Sequence, residues 1–223
     1  MSYKTELHCH TCDFVGIRSA ENGAKKARTY IDAGYTTVVL TNHYRPYDPA
    51  DHGEMVRRFF AAGEIMREAA GDRLTVITGM ELKLRENGND YLVFGMTEEL
   101  LLGLPGIFDM TIGEFCTWAT ARGILVIQAH PFRVGSVPAD PDLLDGAEIF
   151  NVCNPADVNK SAEAWAAEYA DSHPDRRFIL TSGSDHHKVS HRAAGGIVTE
   201  SPITDMDELM GVLKSGEYEL LRG

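Results

Sequence analysis

Apolar and polar positions alternate along this chain in two rhythms. Short runs rich in β-branched residues predict strands over 4–10, 36–43, 74–84, 90–96, 123–130, 147–151 and 177–184. Several of these runs are almost continuously apolar, such as Thr37-Val38-Val39-Leu40 and Ile124-Leu125-Val126-Ile127. Strands of that kind are buried on both faces, as in a parallel sheet. Between them lie helical patterns over 19–33, 54–70, 111–122, 161–170 and 206–214. The second carries Met55, Phe59, Ala62 and Met66 on one face and stops at Gly71. The third and fourth strands have no helix between them. Asn87-Gly88, a strong turn dipeptide, predicts a hairpin there. The chain thus reads as one α/β domain over residues 1–223, with about seven strand-plus-connection units. That is too few for a standard eight-fold barrel and suggests a smaller or distorted one.

The polar residues that interrupt this pattern change the picture. His8-Cys9-His10, Asn42-His43, Glu81, Gln128-Ala129-His130 and Asp185-His186-His187 each sit at the end of an apolar run. Imidazoles and carboxylates are poor core residues, and burying one unpaired costs roughly 1–3 kcal/mol. Strand ends converging on one mouth are where a parallel barrel builds its site. His8 and His10 stand two apart on a strand, so both rings project from one face. Glu81 interrupts Val76-Ile77-Thr78-Gly79-Met80 and needs a partner, and its two oxygens can bridge two ions. Asp185 and His187 share the same two-residue spacing, which turns His186 elsewhere. Asp90 opens the fourth strand and reads almost equally well as a turn residue. Jointly these positions indicate a multinuclear metal site in a metal-dependent hydrolase.

Composition adds little against this. The formal net charge is −12, which argues against an extended nucleic-acid footprint. Bound divalent cations would restore positive charge at one place, so a local anion site stays open. The four cysteines, Cys9, Cys12, Cys116 and Cys153, are expected as free thiols, with Cys9 packed in the core. With no apolar run of membrane-spanning length and no signal peptide, a cytoplasmic chain is expected, with no membrane partner. The oligomeric state is not legible.

The motifs Glu6-Leu7-His8-Cys9-His10-Thr11, Leu40-Thr41-Asn42-His43, Gly79-Met80-Glu81, Ala129-His130-Pro131 and Gly183-Ser184-Asp185-His186-His187 resemble those of the polymerase-and-histidinol-phosphatase (PHP) family, in family order. The resemblance spans residues 6–187. It implies a distorted seven-stranded (β/α)7 barrel and a phosphoesterase using two or three divalent ions of zinc, manganese or iron. It places His8, His10, Glu81 and Asp185 on a first metal, with Glu81 bridging to a second held by His130. Asp90 stands where the family often has a histidine for that second ion. His43 and His187 match ligands of a third metal. Two positions depart from the pattern. Asn42 replaces the usual aspartate, and Val15 and Gly16 stand where a third-site ligand is expected, which leaves Asp13 as the nearest substitute.

The chemistry the resemblance implies is in-line attack on the phosphorus of a small phosphorylated substrate, a phosphomonoester or nucleotide, by a metal-bridging hydroxide. Arg45, Arg133, Lys188 and Arg192 follow the His43, His130 and His187 motifs and are expected to face the mouth, where they clamp phosphoryl oxygens. Arg133 is the preferred clamp because Pro131 stiffens its approach. Glu81 and Arg133 are the expected catalytic residues, with His186 or His191 protonating the leaving oxygen. Two alternatives compete. One is a C–N bond hydrolase of the amidohydrolase type, whose barrels often bind metal through a carbamylated strand lysine; no strand lysine here fits well, since Lys83 follows Glu81 by two but lies toward the hairpin. The other is a non-catalytic metal-binding domain.

Overall fold

The computed structural model describes residues 2–11, 20–46, 51–188 and 191–223. Strand β1 (Tyr3–Cys9) leads to helix α1 (Ala20–Asp32), strands β2 (Thr37–Leu40) and β3 (His43–Tyr44), and helix α2 (His52–Ala70). Strands β4 (Thr75–Thr78), β5 (Met80–Lys83) and β6 (Asp90–Phe94) follow, then helices α3 (Glu98–Leu102) and α4 (Ile112–Thr120). Strand β7 (Leu125–Gln128), strand β8 (Gly146–Asn151), helix α5 (Ala156–Ser172) and strand β9 (Ile179–Gly183) complete the expected set. The chain closes with β10 (Gly195–Thr199), α6 (Met206–Ser215) and β11 (Glu219–Arg222).

The helices begin where side chains can satisfy free backbone donors. Asp51 caps α2 by accepting from the Glu54 amide, Thr111 and Glu114 form a reciprocal capping box on α4, and Asp205 caps α6. Gly216 ends α6 in the left-handed conformation, at φ 71°. None of the described helices is long and apolar enough to cross a membrane.

The architecture is mixed α/β, as expected, but its strands do not form one seven-stranded barrel sheet. The strands form two sheets, ordered β11-β10-β1-β2-β4 and β3-β5-β6-β7-β8-β9, and these do not close into one ring. The physical reason lies in the strands themselves. The chain steps out of line after Leu40 and again at Gly79, so β2 pairs with β4 in one sheet while β3 pairs with β5 in the other. The β1–β2 ladder also shifts register between Glu6 and Cys9. Among the described residues, an isolated parallel bridge, Cys9 to His186, pairs β1 with the segment following β9. The expected hairpin is present: β5 and β6 pair antiparallel, Lys83 opposite Asp90.

β10 was not anticipated from the pattern, because Gly195-Gly196 reads as a loop. Both glycines are there for close approach. A Cβ on Gly195 would meet the Gly183 backbone at 2.2 Å, and one on Gly196 (φ 115°) would meet the Thr5 carbonyl at 2.1 Å. The core lies on both sides of the strands. Tyr91, Phe115, Leu82 and Ile149 pack toward α4 and α5, while Val38, Tyr30 and Met66 pack toward α1 and α2. Cys9 sits in the latter cluster, fully buried, its thiol pushed up to about 12 mainly by burial. Cys12 lies outside the described residues.

Candidate metal centre

The expected ligands do come together. Two hydrogen bonds weave the strand ends: the Asp185 amide donates to the His8 carbonyl at 2.8 Å, and the His10 amide donates to the His186 carbonyl at 3.2 Å. This inserts Asp185 between His8 of β1 and His10 just beyond its end. Asp185 Oδ1 lies 3.6 Å from His8 Nε2 and 3.4 Å from His10 Nε2. Glu81, on β5, reaches the same space. Its Oε1 is 3.0 Å from His130 Nε2 and 3.3 Å from His8 Nε2, and its Oε2 touches His43 Nδ1. The His10 ring stacks on His43 at 4.3 Å and on His187 at 4.1 Å, between centroids. Three overlapping groups could each hold an ion: His8 with His10 and Asp185, His8 with Glu81 and His130, and His10 with His43 and His187.

The atoms inside this knot fit a cation. His8 Nε2, both ring nitrogens of His10 and Asp185 Oδ1 are buried, yet form no hydrogen bond among the described residues. Each such atom costs roughly 1–3 kcal/mol in a fold that leaves it unsatisfied. Nitrogen and carboxylate donors converging on one small space are the ligand set of a divalent transition metal.

Electrostatics prepare the carboxylates. Burial pushes Glu81 up, but the imidazoles of His43 and His8, with hydrogen bonds from His130 and His43, outweigh it and hold the carboxyl well below its usual range. Asp185 is likewise raised by burial and then pulled well down by His8, His10 and His187. Both are therefore anionic at neutral pH. His8 and His10 differ although both are fully buried. Burial disfavours the charged form of His8, but Glu148, Asp185 and Glu81 together lift it well above the usual imidazole value. His10 faces His43, and burial with that neighbour depresses it well below.

The remaining expected residues divide. Arg133 stands at the rim, its Nη2 2.5 Å from Asp185 Oδ2 and 3.1 Å from Asn151 Oδ1, while its Nε donates to Asn154 at 2.9 Å. Arg45 Nη2 lies 2.9 Å from His43 Nδ1. Lys188 and Arg192 are exposed. Asp90 joins none of the three ligand groups. It pairs instead with Lys83, at 3.3 Å, and faces Arg45 at 4.0 Å. Lys83 also donates to the Gly88 carbonyl at 2.7 Å, which ties it to the hairpin turn and away from a metal-bridging role.

His186 turns away from the cluster, its ring edge-on to Tyr30 at 5.5 Å. Burial, with Lys26 beside it, lowers its pKa to about 4, so it carries no imidazolium proton at neutral pH. His191 lies 3.5 Å from Cys153 Sγ through Nδ1. Asn42 meets Glu81 through its backbone carbonyl, which accepts from the Glu81 amide at 3.0 Å, while its side chain turns to Thr11. That side chain accepts from the Thr11 amide at 2.9 Å and donates to its hydroxyl at 3.0 Å. Asp13, Val15 and Gly16 lie outside the described residues.

Two residues were missed by sequence reasoning. Glu148, on β8, accepts from His8, His130 and Asn151. Glu6 gathers the amides of Leu7, His8 and Ser184 on one oxygen. The signal that found Glu81, a carboxylate inside an apolar run, was present for Glu148 in Gly146-Ala147-Glu148-Ile149-Phe150.

No protein-family model matches the sequence, and no curated protein is similar to it. Solved structures share its fold. PsfC from Pseudomonas syringae superposes with a TM-score of 0.70 at 16% identity, over 100% of this chain and 92% of its own. A candidate metal-dependent phosphoesterase from Bifidobacterium adolescentis superposes with a TM-score of 0.52 at 16% identity, over 95% and 96%. Endonuclease Q, bound to a 27-mer duplex with an abasic lesion at its active site, superposes with a TM-score of 0.62 at 14% identity. That match covers 99% of this chain but 58% of Endonuclease Q. These likenesses support the PHP-like resemblance at the level of the fold.

They also correct one expectation. A small phosphorylated substrate was expected from the resemblance, and the net charge of −12 argued against extended nucleic-acid binding. A protein with this fold holds a DNA duplex. Net charge sums the whole surface, whereas a site's potential is set by nearby cations and arginines. An acidic total therefore does not exclude a nucleic-acid strand.

Proposed function

We propose that this chain, as one metallohydrolase domain over residues 1–223, is a metal-dependent phosphoesterase. The carrying observation is the buried knot of His8, His10, His43, His130, His187, Glu81 and Asp185, whose unsatisfied ligand atoms point at one another. His8, His10, Glu81 and Asp185 would hold one ion, and Glu81 would be shared with a neighbouring ion held also by His130. Divalent ions held there would supply an activated water and neutralise charge on phosphoryl oxygens. Arg133, held at the rim by Asp185, Asn151 and Asn154, would set its guanidinium charge beside a bound phosphoryl group. Arg45 sits on the opposite flank, against His43, and adds a second positive charge facing the same mouth. His186 is left out of the chemistry.

The likeness to Endonuclease Q brings nucleic-acid phosphodiesters into the substrate set, ahead of other phosphate esters. The test is a hydrolysis panel with protein reconstituted separately with zinc, manganese and iron. It should include single- and double-stranded oligonucleotides, duplexes with an abasic site, and generic phosphate mono- and diesters. Metal-dependent cleavage that disappears in Glu81→Gln is the expected result. Metal-loaded protein that cleaves none of these esters would refute the reading. Hydrolysis of amides or cyclic ureides instead would move the chain to the C–N hydrolases, although Lys83 is tied to a turn and unsuited to that chemistry.

A further inference from the structure

Glu148 belongs to none of the three candidate ligand groups, yet it is as buried as any ligand, at 1% exposure. Its two oxygens have separate partners. Oε1 lies 2.9 Å from His8 Nδ1. Oε2 accepts from the His130 backbone amide at 2.9 Å and from Asn151 Nδ2 at 2.9 Å. An imidazole with a carboxylate on Nδ1 carries its proton there and leaves the Nε2 lone pair free. On His8 it is Nε2 that faces Glu81 and Asp185. The second oxygen holds a strained piece of backbone. His130 has φ 28°, a value non-glycine residues rarely adopt and that persists only when neighbours enforce it.

The surrounding fold makes room for this pair. A Cβ on Gly183 of β9 would lie 2.3 Å from Glu148 Oε1 and 2.4 Å from His8 Cβ. Glycine is therefore required where β9 passes the His8–Glu148 contact. Asn151 ties Glu148 to the rim as well, since its Oδ1 accepts from Arg133.

We infer that Glu148 is a positioning residue that couples two metal ligands, fixing the ring of His8 through one oxygen and the backbone of His130 through the other. This rests on the reading of the cluster as a metal centre. Glutamine at 148 offers one acceptor and one donor, so it cannot accept from both His8 Nδ1 and the His130 amide. Aspartate keeps the charge but is one methylene too short to span both.

The experiment is calorimetric zinc titration of the metal-free protein and its Glu148→Gln and Glu148→Asp variants, with nitrogen-15 NMR of the histidine rings in the zinc-loaded forms. The expected result is zinc affinity reduced about 10–100-fold in both variants. The wild-type His8 ring should carry a hydrogen-bonded proton on Nδ1 with Nε2 bound to zinc, and that proton signal should be lost or moved in Glu148→Gln. A folded variant with zinc affinity within about two-fold of wild type would overturn the inference. So would a wild-type His8 protonated on Nε2, a result that needs no variant to fold. Normal zinc binding and the expected His8 signal without hydrolysis of any phosphate ester would sink the catalytic reading and leave the role of Glu148 standing.

Discussion

The two ends of the candidate metal-binding knot are built differently. At the deep end, His8, Glu81, His130 and Asp185 are each no more than 2% exposed, and each candidate group there contains a carboxylate. Glu148 holds two of those ligands from behind. At the rim, His10, His43 and His187 form a group of imidazoles alone, the His187 side chain is 21% exposed, and Arg45 lies against His43. A divalent ion at the deep end gains charge compensation and a rigid cage. One at the rim gains neutral donors and a nearby guanidinium. The difference teaches that ligand number alone does not rank the sites: carboxylates and the groups bracing them do.

The largest effect expected from this contrast is at Glu81. Glu81→Gln should lower activity by roughly 10³ or more and reduce bound metal while leaving the circular-dichroism spectrum unchanged. A near-normal rate would break the shared-ligand role. Next comes Arg133→Ala, which removes a charged hydrogen-bond donor worth about 1.5–3 kcal/mol and should cut kcat/KM by roughly 10–100-fold without lowering metal content. Loss of metal in that variant would recast Arg133 as a brace for Asp185. Smaller again is His43→Ala. A chelator should strip its remaining ions in the same order as wild type minus the first, because only the rim ion is lost. Equal loss of all ions would erase the distinction between the two ends.

The smallest effect concerns Glu6, beneath the deep end. Burial pushes its carboxyl from 4.5 up to about 7, against hydrogen bonds from Ser184 and His8. A carboxyl raised on folding favours the fold fully below its unfolded value, and that contribution is lost as pH rises toward the folded value. Metal-free wild type should therefore lose thermal stability between about pH 4.5 and about pH 7 relative to Glu6→Gln, which keeps an oxygen for the three amides. Parallel melting curves for the two proteins across that window would contradict this.

The deep end was also the more legible end. Glu81 and Asp185 stood out because carboxylates break apolar runs, and His8 and His10 because their spacing puts both rings on one face. Glu148 carried the same signal but lies mid-strand, with no histidine beside it to draw notice. Asp90 was over-read: the turn chemistry of Asn87-Gly88 brings Lys83 opposite it, and a nearby ammonium satisfies the carboxylate without metal. Spacing could not show that His186 turns toward Tyr30, since that follows from the Cys9–His186 bridge between distant segments. The sheets escaped the pattern for a related reason. The steps after Leu40 and at Gly79 depend on neighbouring strands, and β11, with charged ends at Glu219 and Arg222, has too little apolar sequence to announce itself.

The most direct measurement is the number of metal ions bound per chain, by elemental analysis after reconstituting metal-free protein with zinc or manganese and removing the excess. The account predicts at least two ions in wild type and a loss in Glu81→Gln that exceeds the loss in His43→Ala. Fewer than about one ion per wild-type chain, with either metal supplied, would contradict the metal centre and the phosphoesterase built on it.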